Sequence, residues 1–298
     1  TGTGTAVGAF ALDENTTGAS NTAIGSGALN KNTTGDFNIA VGSNALCKNV
    51  TSDSNTAVGY YSLRCNTGAN NTGVGMCSLG ANTTGANNTA IGSFAMYEGT
   101  TTGSFNTMMG VSSGRKMTSG AQNTASGVNA MELNTTGTDN VAMGMNALTA
   151  NTTGACNTAL GKEALRAHTT GTRNTGLGHG ALCDITTTQD NTAVGYHAAR
   201  DATANYTTAV GSEAVFRTTG DGNTGMGYRA LMCNTSGTHN VASGYYSLCS
   251  NTTGDNNVAV GCGALCANTT ADNNTAVGTC ALLVNTTGCF NTAVGKEA

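Results

Sequence analysis

The chain has 298 residues, of which 38% are apolar and only 9% are charged, and its net charge is −4. It contains 43 glycines but no proline and no tryptophan, which argues against a thick globular core. Because charge is scarce, the composition also argues against a solvated disordered chain. Nothing in the acidic balance indicates a nucleic-acid partner. No apolar run reaches the roughly 20 residues of a transmembrane helix, so we expect no membrane insertion.

One repeat of about 17 residues runs along the whole sequence. The first five positions of the repeat read Asn-Thr-Ala-Val-Gly at residues 55–59, 191–195, 274–278 and 291–295. The repeats start near residues 4, 21, 38, 55, 71, 88, 106, 123, 140, 157, 174, 191, 207, 223, 240, 257, 274 and 291. A fixed period predicts a single repeat array over residues 1–298. Since the sequence starts and stops inside a repeat, we interpret it as a fragment of a longer chain.

The positions of the repeat differ in what they tolerate. Position 5 is glycine in every copy and position 8 is always alanine or serine, while position 9 is usually leucine and positions 12 to 15 mostly read Asn-Thr-Thr-Gly. The β-branched residues at positions 1 to 5 predict a strand, positions 8 to 11 predict a second short strand, and the glycines and Asn-Thr-Thr-Gly predict turns. A helix is disfavoured because every repeat contains glycine and several threonines.

In repeats of unusual length, the lost or gained residues lie beside the Asn-Thr-Thr-Gly segment. A threonine is missing at residues 65–68 and an asparagine at 217–220, whereas 98–103 has gained a residue. Because length changes are tolerated in exposed turns, we place this segment at an outward turn. The whole pattern predicts an all-β fold, namely a parallel β-solenoid or β-roll of about seventeen 17-residue rungs. At about 4.8 Å per rung, it would form a rod roughly 80 Å long.

The predicted first strand carries no charge on either face. Threonine and valine at positions 2 and 4 point to one side, and alanine and glycine at positions 3 and 5 point to the other. We expect one face to cover the chain's own core and the other to contact a second chain, which favours a homo-oligomer, most simply a homotrimer. Ala164→Phe at position 8 should then cost several kcal/mol, and Thr152→Ser in the outer turn almost nothing. A monomeric solenoid with positions 3, 5 and 8 in its own interior is the alternative.

The consensus Asn-Thr-Ala-Val-Gly-x-x-Ala-Leu-x-x-Asn-Thr-Thr-Gly resembles the shaft repeats of phage tail-fibre-like proteins, which often precede a self-cleaving chaperone domain. It is also similar to the head repeats of trimeric autotransporter adhesins, whose core reads Asn-Ser-x-Ala-x-Gly-x-x-Ser/Ala. The resemblance covers essentially the whole chain. It implies a left-handed parallel β-roll that is trimeric, lies outside the cell or on a virion, and serves attachment. The adhesin repeat is shorter, which matches the extra turn here, and residues 1–298 contain no chaperone domain or coiled coil.

Eleven cysteines leave at least one thiol without a partner in the same chain. Six lie at repeat positions 10 or 11, namely Cys47, Cys65, Cys183, Cys233, Cys249 and Cys266. Cys249 and Cys266 share a position in consecutive repeats, so a disulfide between them is one alternative. A metal site is another, although only Cys262-x-x-x-Cys266 comes close to a metal-binding spacing. We favour free packed thiols, which suit assembly in a reducing cytoplasm, as for a virion fibre.

No combination of residues predicts catalysis. The four histidines (His168, His179, His197 and His239) occupy different repeat positions, and the carboxylates are sparse and scattered. The repeated glycines are not followed by a helix, as a phosphate-binding loop requires. We therefore predict no catalytic, cofactor-binding or metal-binding residue, no cofactor and no enzymatic activity.

Asn-Thr-Thr is also an acceptor pattern for N-linked glycosylation. It occurs at Asn15, Asn32, Asn82, Asn134, Asn151, Asn251, Asn268 and Asn285. The alternative is that asparagine and threonine form side-chain ladders and turn hydrogen bonds, and that the pattern follows from the repeat itself. We favour the ladders.

On these observations we rank three possible functions. The first is a structural shaft segment of an extracellular or virion fibre, a filament of the tail-fibre or adhesin type that presents a binding tip. Its main partner would be itself, and a cell-surface glycan or receptor would be bound through other parts of the protein. The second is a repeat-ladder binding module for a glycan or another periodic surface such as ice. The third is a polysaccharide-degrading fibre, which would require an acidic cleft.

Overall fold

A computed structural model describes residues 4–298 of the chain. In this range each repeat forms one turn of a parallel β-solenoid with one short strand, and no residue is helical. The prediction of an all-β parallel solenoid with one rung per repeat is confirmed. The chain divides into two compact halves, residues 1–155 and residues 156–298.

The strands of each half pair in parallel, in chain order and in register. Those of the first half are β1 (Gly4–Val7), β2 (Asn21–Ile24), β3 (Ile39–Val41), β4 (Thr56–Val58), β5 (Thr72–Val74), β6 (Thr89–Ile91), β7 (Thr107–Met109), β8 (Thr124–Ser126) and β9 (Val141–Met143). Those of the second half are β10 (Thr158–Leu160), β11 (Thr175–Leu177), β12 (Thr192–Val194), β13 (Thr208–Val210), β14 (Thr224–Met226), β15 (Val241–Ser243), β16 (Val258–Val260), β17 (Thr275–Val277) and β18 (Thr292–Val294). Thr56 pairs with Thr72 across a shortened repeat, and Thr89 pairs with Thr107 across the lengthened one. The length changes therefore lie outside the strands, as predicted.

Each strand directs position 3 inward and positions 2 and 4 outward. Ala57 at position 3 is fully buried, whereas Val58 at position 4 is 36% exposed. The small residue at position 8 also lies inside, as Ala95 and Ala164 show. Of the two strand faces, the one with the small residues is therefore the face that covers the chain's own core, and position 8 lies in the same interior. The threonine and valine side chains remain open instead.

The predicted second strand at positions 8 to 11 is absent from the described turns, and a bent segment takes its place. Position 5 has a strongly positive φ, +131° at Gly25, and positions 7 and 9 are left-handed, with φ 51° at Leu46. The backbone N–H of Gly25 donates to the carbonyl of Val7 in the preceding turn, 2.8 Å away. The N–H of Leu29 donates to Ala45 in the following turn, 3.0 Å away. The segment thus bonds to both neighbouring turns without strand dihedral angles.

Burial of the leucine at position 9 offsets the strain of this conformation. A left-handed backbone costs a non-glycine residue about 1–2 kcal/mol. Full burial of a leucine side chain contributes about 1.5–3 kcal/mol. Leu46, Leu148 and Leu265 are all fully buried. The sequence pattern does not predict this left-handed backbone at position 9, since non-glycine residues rarely adopt a positive φ.

A first ladder of buried asparagines runs along position 1. The Oδ1 of Asn38 accepts hydrogen bonds from the backbone N–H of Asn55, at 3.0 Å, and from the Nδ2 of Asn55, at 3.2 Å. The Nδ2 of Asn38 donates to the carbonyl of Ser52 at position 15 of its own turn, at 2.9 Å. One amide therefore links the strand of the next turn to the outer turn of its own repeat.

A second ladder of buried asparagines runs along position 12. The Nδ2 of Asn32 donates to Oδ1 of Asn15 and to the carbonyl of Gly35, both at 3.0 Å. The same carbonyl accepts from Nδ2 of Asn21 in the first ladder, at 2.7 Å. Both ladders thus anchor the Asn-Thr-Thr-Gly turn through the carbonyl at position 15.

The second ladder distinguishes the two interpretations of the Asn-Thr-Thr pattern, as a glycosylation acceptor or as a structural ladder. Six of the eight asparagines of the Asn-Thr-Thr pattern are fully buried in this ladder: Asn32, Asn82, Asn134, Asn151, Asn251 and Asn268. An N-linked sugar would have to be attached to the Nδ2 atom, which in these residues lies inside the solenoid and donates hydrogen bonds. The interpretation as a structural ladder is confirmed.

His168 interrupts the second ladder in the second half. It is fully buried, its Nδ1 has no hydrogen-bond partner, and its Nε2 lies 3.4 Å from Nδ2 of Asn174. Burial lowers the pKa of His168 below its ordinary value of 6.5, and a hydrogen bond with the backbone of Gly171 opposes this only in part. The folded chain therefore holds the neutral imidazole, whereas the unfolded chain binds a proton below about pH 6.5.

We predict that glycine at position 5 is required by geometry. Gly261 has φ +131°, and a Cβ added there would lie 2.4 Å from the carbonyl oxygen of Gly278. Gly261→Ala should lower the free energy of unfolding in urea by about 3 kcal/mol, because backbone strain and overpacking add. Gly263→Asn in the same turn is the matched control, since its φ of +65° suits asparagine and the nearest atoms lie at 3.6 Å. Equal losses in the two variants would contradict the prediction.

We also predict a pH dependence from His168. Because the folded-state pKa is lowered, stability should be constant above about pH 6.5 and should fall as the pH drops below it, by at most about 1.4 kcal/mol per pH unit. His168→Asn should remove this part of the slope when urea unfolding is measured between pH 7.5 and 5. His239→Asn is the control, since His239 is exposed and other repeats carry asparagine at its position. Parallel profiles for the wild type and His168→Asn would show the prediction to be wrong.

Candidate functional surfaces

Within residues 4–298, no group of three or more His, Cys, Asp or Glu side chains has the geometry to hold a metal ion. The same residues include no helix with the length and apolar character needed to cross a membrane. Two surfaces of the described residues have features that a partner could recognise. We name them the strand face and the charged–aromatic face.

The strand face consists of the side chains at positions 2 and 4 of each repeat. Position 2 is Thr, Val or Ile, and position 4 is Val, Ile, Leu, Met or Ser, so neither carries a charge in any repeat. Its exposed apolar members in the first half are Val7, Ile24, Ile39, Val58, Ile91, Met109 and Met143. In the second half they are Leu177, Val210, Met226, Val260, Val277 and Val294. Contiguous apolar surface of this kind marks interaction sites in soluble proteins.

Position 6 extends this surface in the first half. Its side chains there are uncharged, and several are large, apolar and exposed. These are Tyr60, Met76, Val111, Val128 and Met145. The first half therefore combines a narrow strand with a wider apolar band beside it.

The second half differs at positions 6 and 7, where charged side chains appear that the first half lacks at these positions. Six of the twelve lysines and arginines of the chain lie between residues 162 and 229. The charged–aromatic face comprises Lys162, Glu163, Arg166, His179, Asp184, Tyr196, His197, Arg200, Asp201, Glu213, Phe216, Arg217, Tyr228, Arg229, Tyr245 and Tyr246.

Arginines and carboxylates alternate from turn to turn on this face. Arg200 Nε lies 3.2 Å from an oxygen of Asp184 and 3.4 Å from one of Asp201. Arg166 contacts Asp184 at 2.9 Å, and Arg217 contacts Asp201 at 3.1 Å. Because these side chains are partly exposed, each pair contributes at most about 1 kcal/mol to stability. Their main effect is to fix the guanidinium groups in a row.

The carboxyl of Asp184 is held in its ionised form by its neighbours. Its burial raises the pKa, but hydrogen bonds from Cys183 and Arg200 and the charge of Arg166 outweigh this effect, so the pKa of Asp184 lies below the ordinary 3.8. Asp184 therefore remains an acceptor and a counter-charge at neutral pH.

Aromatic rings from consecutive turns lie against one another. The rings of His179 and Tyr196 stack at 5.5 Å, and those of Tyr228 and Tyr245 at 5.4 Å. Tyr196 and Tyr245 are still 50% and 54% exposed. Exposed tyrosine offers both an apolar ring and a polar hydroxyl, which is why it is frequent at binding interfaces.

Arg229 joins the aromatic and charged parts of the face. Its guanidinium lies 5.0 Å from the ring centroid of Tyr228, its Nη1 donates to the hydroxyl of Tyr246 at 2.9 Å, and its Nε donates to Glu213 at 2.6 Å. The hydrogen bond with Glu213 is the main reason why the pKa of Arg229 is raised. The group is thus a fixed cation between two tyrosines.

Two of the four histidines lie close together in the structure. The ring of His179 lies 5.4 Å from that of His197, because position 6 of one turn is next to position 7 of the following turn. His168 is buried in the interior, and His239 lies exposed in an outer turn.

The eleven cysteines carry free thiols. Burial, together with the thiols of Cys233 and Cys266, raises the pKa of Cys249 to about 12. As a mostly protonated thiol, Cys249 is a poor nucleophile at neutral pH.

Sequence reasoning missed the charged–aromatic face, although a signal for it exists. Over the same turns, position 12 departs from asparagine in four consecutive repeats, with His168, Ile185, Ala202 and Thr218. The departures from the consensus, more than the consensus itself, locate the part of the array that differs chemically. The clustering of arginines is a second signal of the same kind.

Comparison with models of protein families gave no match, and comparison with curated proteins gave none. The repeat, the solenoid turn and the two surfaces are the observations from which a function can be proposed.

Proposed function

We propose that the chain is a structural shaft segment of an extracellular or virion fibre, of the tail-fibre or adhesin type, in which copies of the chain pack side by side. The observation that supports this most directly is the strand face, which is uncharged in every repeat and exposes a large apolar side chain in most turns. A soluble chain rarely leaves such a surface open to water.

Packing through the strand face also agrees with its regularity. Strand residues of neighbouring turns are paired in register, as Val58 with Val74 and Val210 with Met226, so the side chains form a flat and regular row. A second copy of the same row offers a matching spacing along its whole length. We propose three copies around a common axis, as the resemblance to fibre repeats implies.

The first test is the mass of the particle in solution. Light scattering should give about three times the 29.5 kDa of one chain. Val210→Glu combined with Val260→Glu should reduce the mass to that of one chain, because two unpaired charges would have to be buried in the interface. Circular dichroism should show that the variant keeps its strand content.

Thr253→Glu is the control for that experiment. Thr253 lies exposed in an outer turn, so the added charge should leave the mass unchanged. A wild-type chain that remains monomeric at every concentration would overturn the proposal.

A second candidate function is recognition of a surface glycan, and the charged–aromatic face favours it. Tyr196, Tyr228 and Tyr245 are exposed beside the fixed side chains of Arg229 and Glu213. Aromatic rings next to oriented donors and acceptors suit the apolar faces and hydroxyl groups of sugars. On this proposal the second half is both part of the shaft and a binding surface.

An array of immobilised glycans tests the second candidate. Tyr196→Ala with Tyr245→Ala should weaken any bound signal at least about tenfold, as expected for loss of two interface tyrosines. Tyr206→Ala is the control, since Tyr206 is 58% exposed but lies outside this face. No binding by the wild type, or an equal loss in the control, would argue against glycan recognition.

A further inference from the structure

Three cysteines come together on two consecutive turns near the end of the second half. Cys262 and Cys266 lie at positions 6 and 10 of one repeat, and Cys280 lies at position 7 of the next. The backbone N–H of Cys280 donates to the carbonyl of Cys262 at 2.8 Å. Hydrogen-bonded chains run about 4.8 Å apart, and a disulfide requires Cα atoms about 4.4–6.8 Å apart. The backbones of Cys262 and Cys280 are therefore within disulfide range.

Other side chains at the same two repeat positions meet across consecutive turns. The relation of Cys262 to Cys280, position 6 of one turn to position 7 of the next, recurs twice in the second half. The ring centroids of His179 and His197 are 5.4 Å apart, and those of Tyr228 and Tyr246 are 5.5 Å apart. Two side chains in this relation therefore meet on the surface.

The position of the Cys280 sulfur agrees with this relation. A Cβ added at Gly263, the residue next to Cys262, would lie 3.6 Å from Sγ of Cys280. The sulfur of Cys280 therefore lies against the preceding turn, beside the residue that follows Cys262.

Both members of the pair are accessible to a reagent in solution. Cys262 is exposed, and Cys280 is partly exposed, as is the neighbouring Cys266. Burial raises the pKa of Cys266, and the thiols of Cys280 and Cys262 raise it further. Because the thiolate is the attacking form, the raised pKa slows the reaction of Cys266.

We propose that Cys262 and Cys280 are an oxidisable pair, which forms a disulfide between two consecutive turns when the protein meets a small-molecule disulfide. The thiolate of one cysteine attacks the reagent and releases one reduced thiol. The second cysteine then attacks the mixed disulfide and releases the other. The two protein thiols are oxidised, the reagent is reduced to two thiols, and the two protons pass to the released thiolates.

Such a bond would fasten one turn of the solenoid to the next. In a stacked array each turn is stabilised only by its neighbours, so unfolding can begin at a local opening. A covalent bond between turns prevents that opening. The shaft would thus be assembled with free thiols and become more resistant once it reaches an oxidising environment.

The experiment treats the reduced, full chain with glutathione disulfide, blocks the remaining thiols by alkylation and maps the peptides by mass spectrometry. The expected product is a peptide pair joined through Cys262 and Cys280, with the loss of two hydrogen atoms and recovery on reduction. The oxidised protein should also unfold about tenfold more slowly in urea than the reduced one.

Serine variants supply the controls. Cys262→Ser and Cys280→Ser should each abolish both the linked peptide and the slower unfolding. Both changes are compatible with the fold, because Ser43 and Ser112 occupy the same repeat positions elsewhere in the chain. Cys156→Ser, at an exposed cysteine on another turn, should leave both results unchanged.

Several results would overturn the proposal. These are a link from Cys266 to either cysteine, stable glutathione adducts on Cys262 and Cys280 without a link, links only between separate chains, or full recovery of free thiols. Slower unfolding that persists in Cys280→Ser would also contradict it, since the effect would then have another origin.

Discussion

Hydrogen bonding between successive turns, completed by buried asparagine amides, is the constraint on which this structure depends. The interior offers little apolar volume, because alanine fills position 3, alanine or serine fills position 8, and one leucine at position 9 supplies most of the bulk. Each buried backbone group must therefore have a partner. At position 1 the side chain of Asn38 satisfies the N–H of Asn55 and the carbonyl of Ser52. An apolar residue there would leave both groups unpaired, at about 1–3 kcal/mol each.

The two asparagine ladders tolerate change to different extents. Position 1 is asparagine in all repeats except those that begin with Gly4 and Thr207. Position 12 also accepts Met117, His168, Ile185, Ala202 and Thr218, and the lengthened repeat has no asparagine in this segment. The first ladder serves the strand, where the register of every turn is set. The second serves only the outer turn, so its loss leaves the strand pairing intact. This difference explains why the repeat length varies beside position 12 and not beside position 1.

The surface of the solenoid likewise has one part that is constant from repeat to repeat and one part that varies. The strand face keeps its uncharged character in both halves, while positions 6 and 7 are uncharged in the first half and include charged side chains in the second. A surface that must match identical copies of itself is under one requirement in every turn. A surface that recognises something else needs only a few adapted turns. The proposed packing through the strand face and recognition through the charged–aromatic face agree with this contrast.

The sequence by itself determined the period, the strand at the start of each repeat, the parallel solenoid and the outward position of Asn-Thr-Thr-Gly. These follow from local rules, since β-branched residues, glycines and length changes each have a short-range physical meaning. The tertiary structure alone decided that positions 7 and 9 are left-handed, because burial of a residue such as Leu46 offsets a conformation that the residue does not prefer. It also decided which residues meet across turns, as the rings of His179 and His197 do and as the backbones of Cys262 and Cys280 do. Those contacts depend on the offset between turns, which is fixed by hydrogen bonds between distant residues and is not encoded at any single position of the repeat.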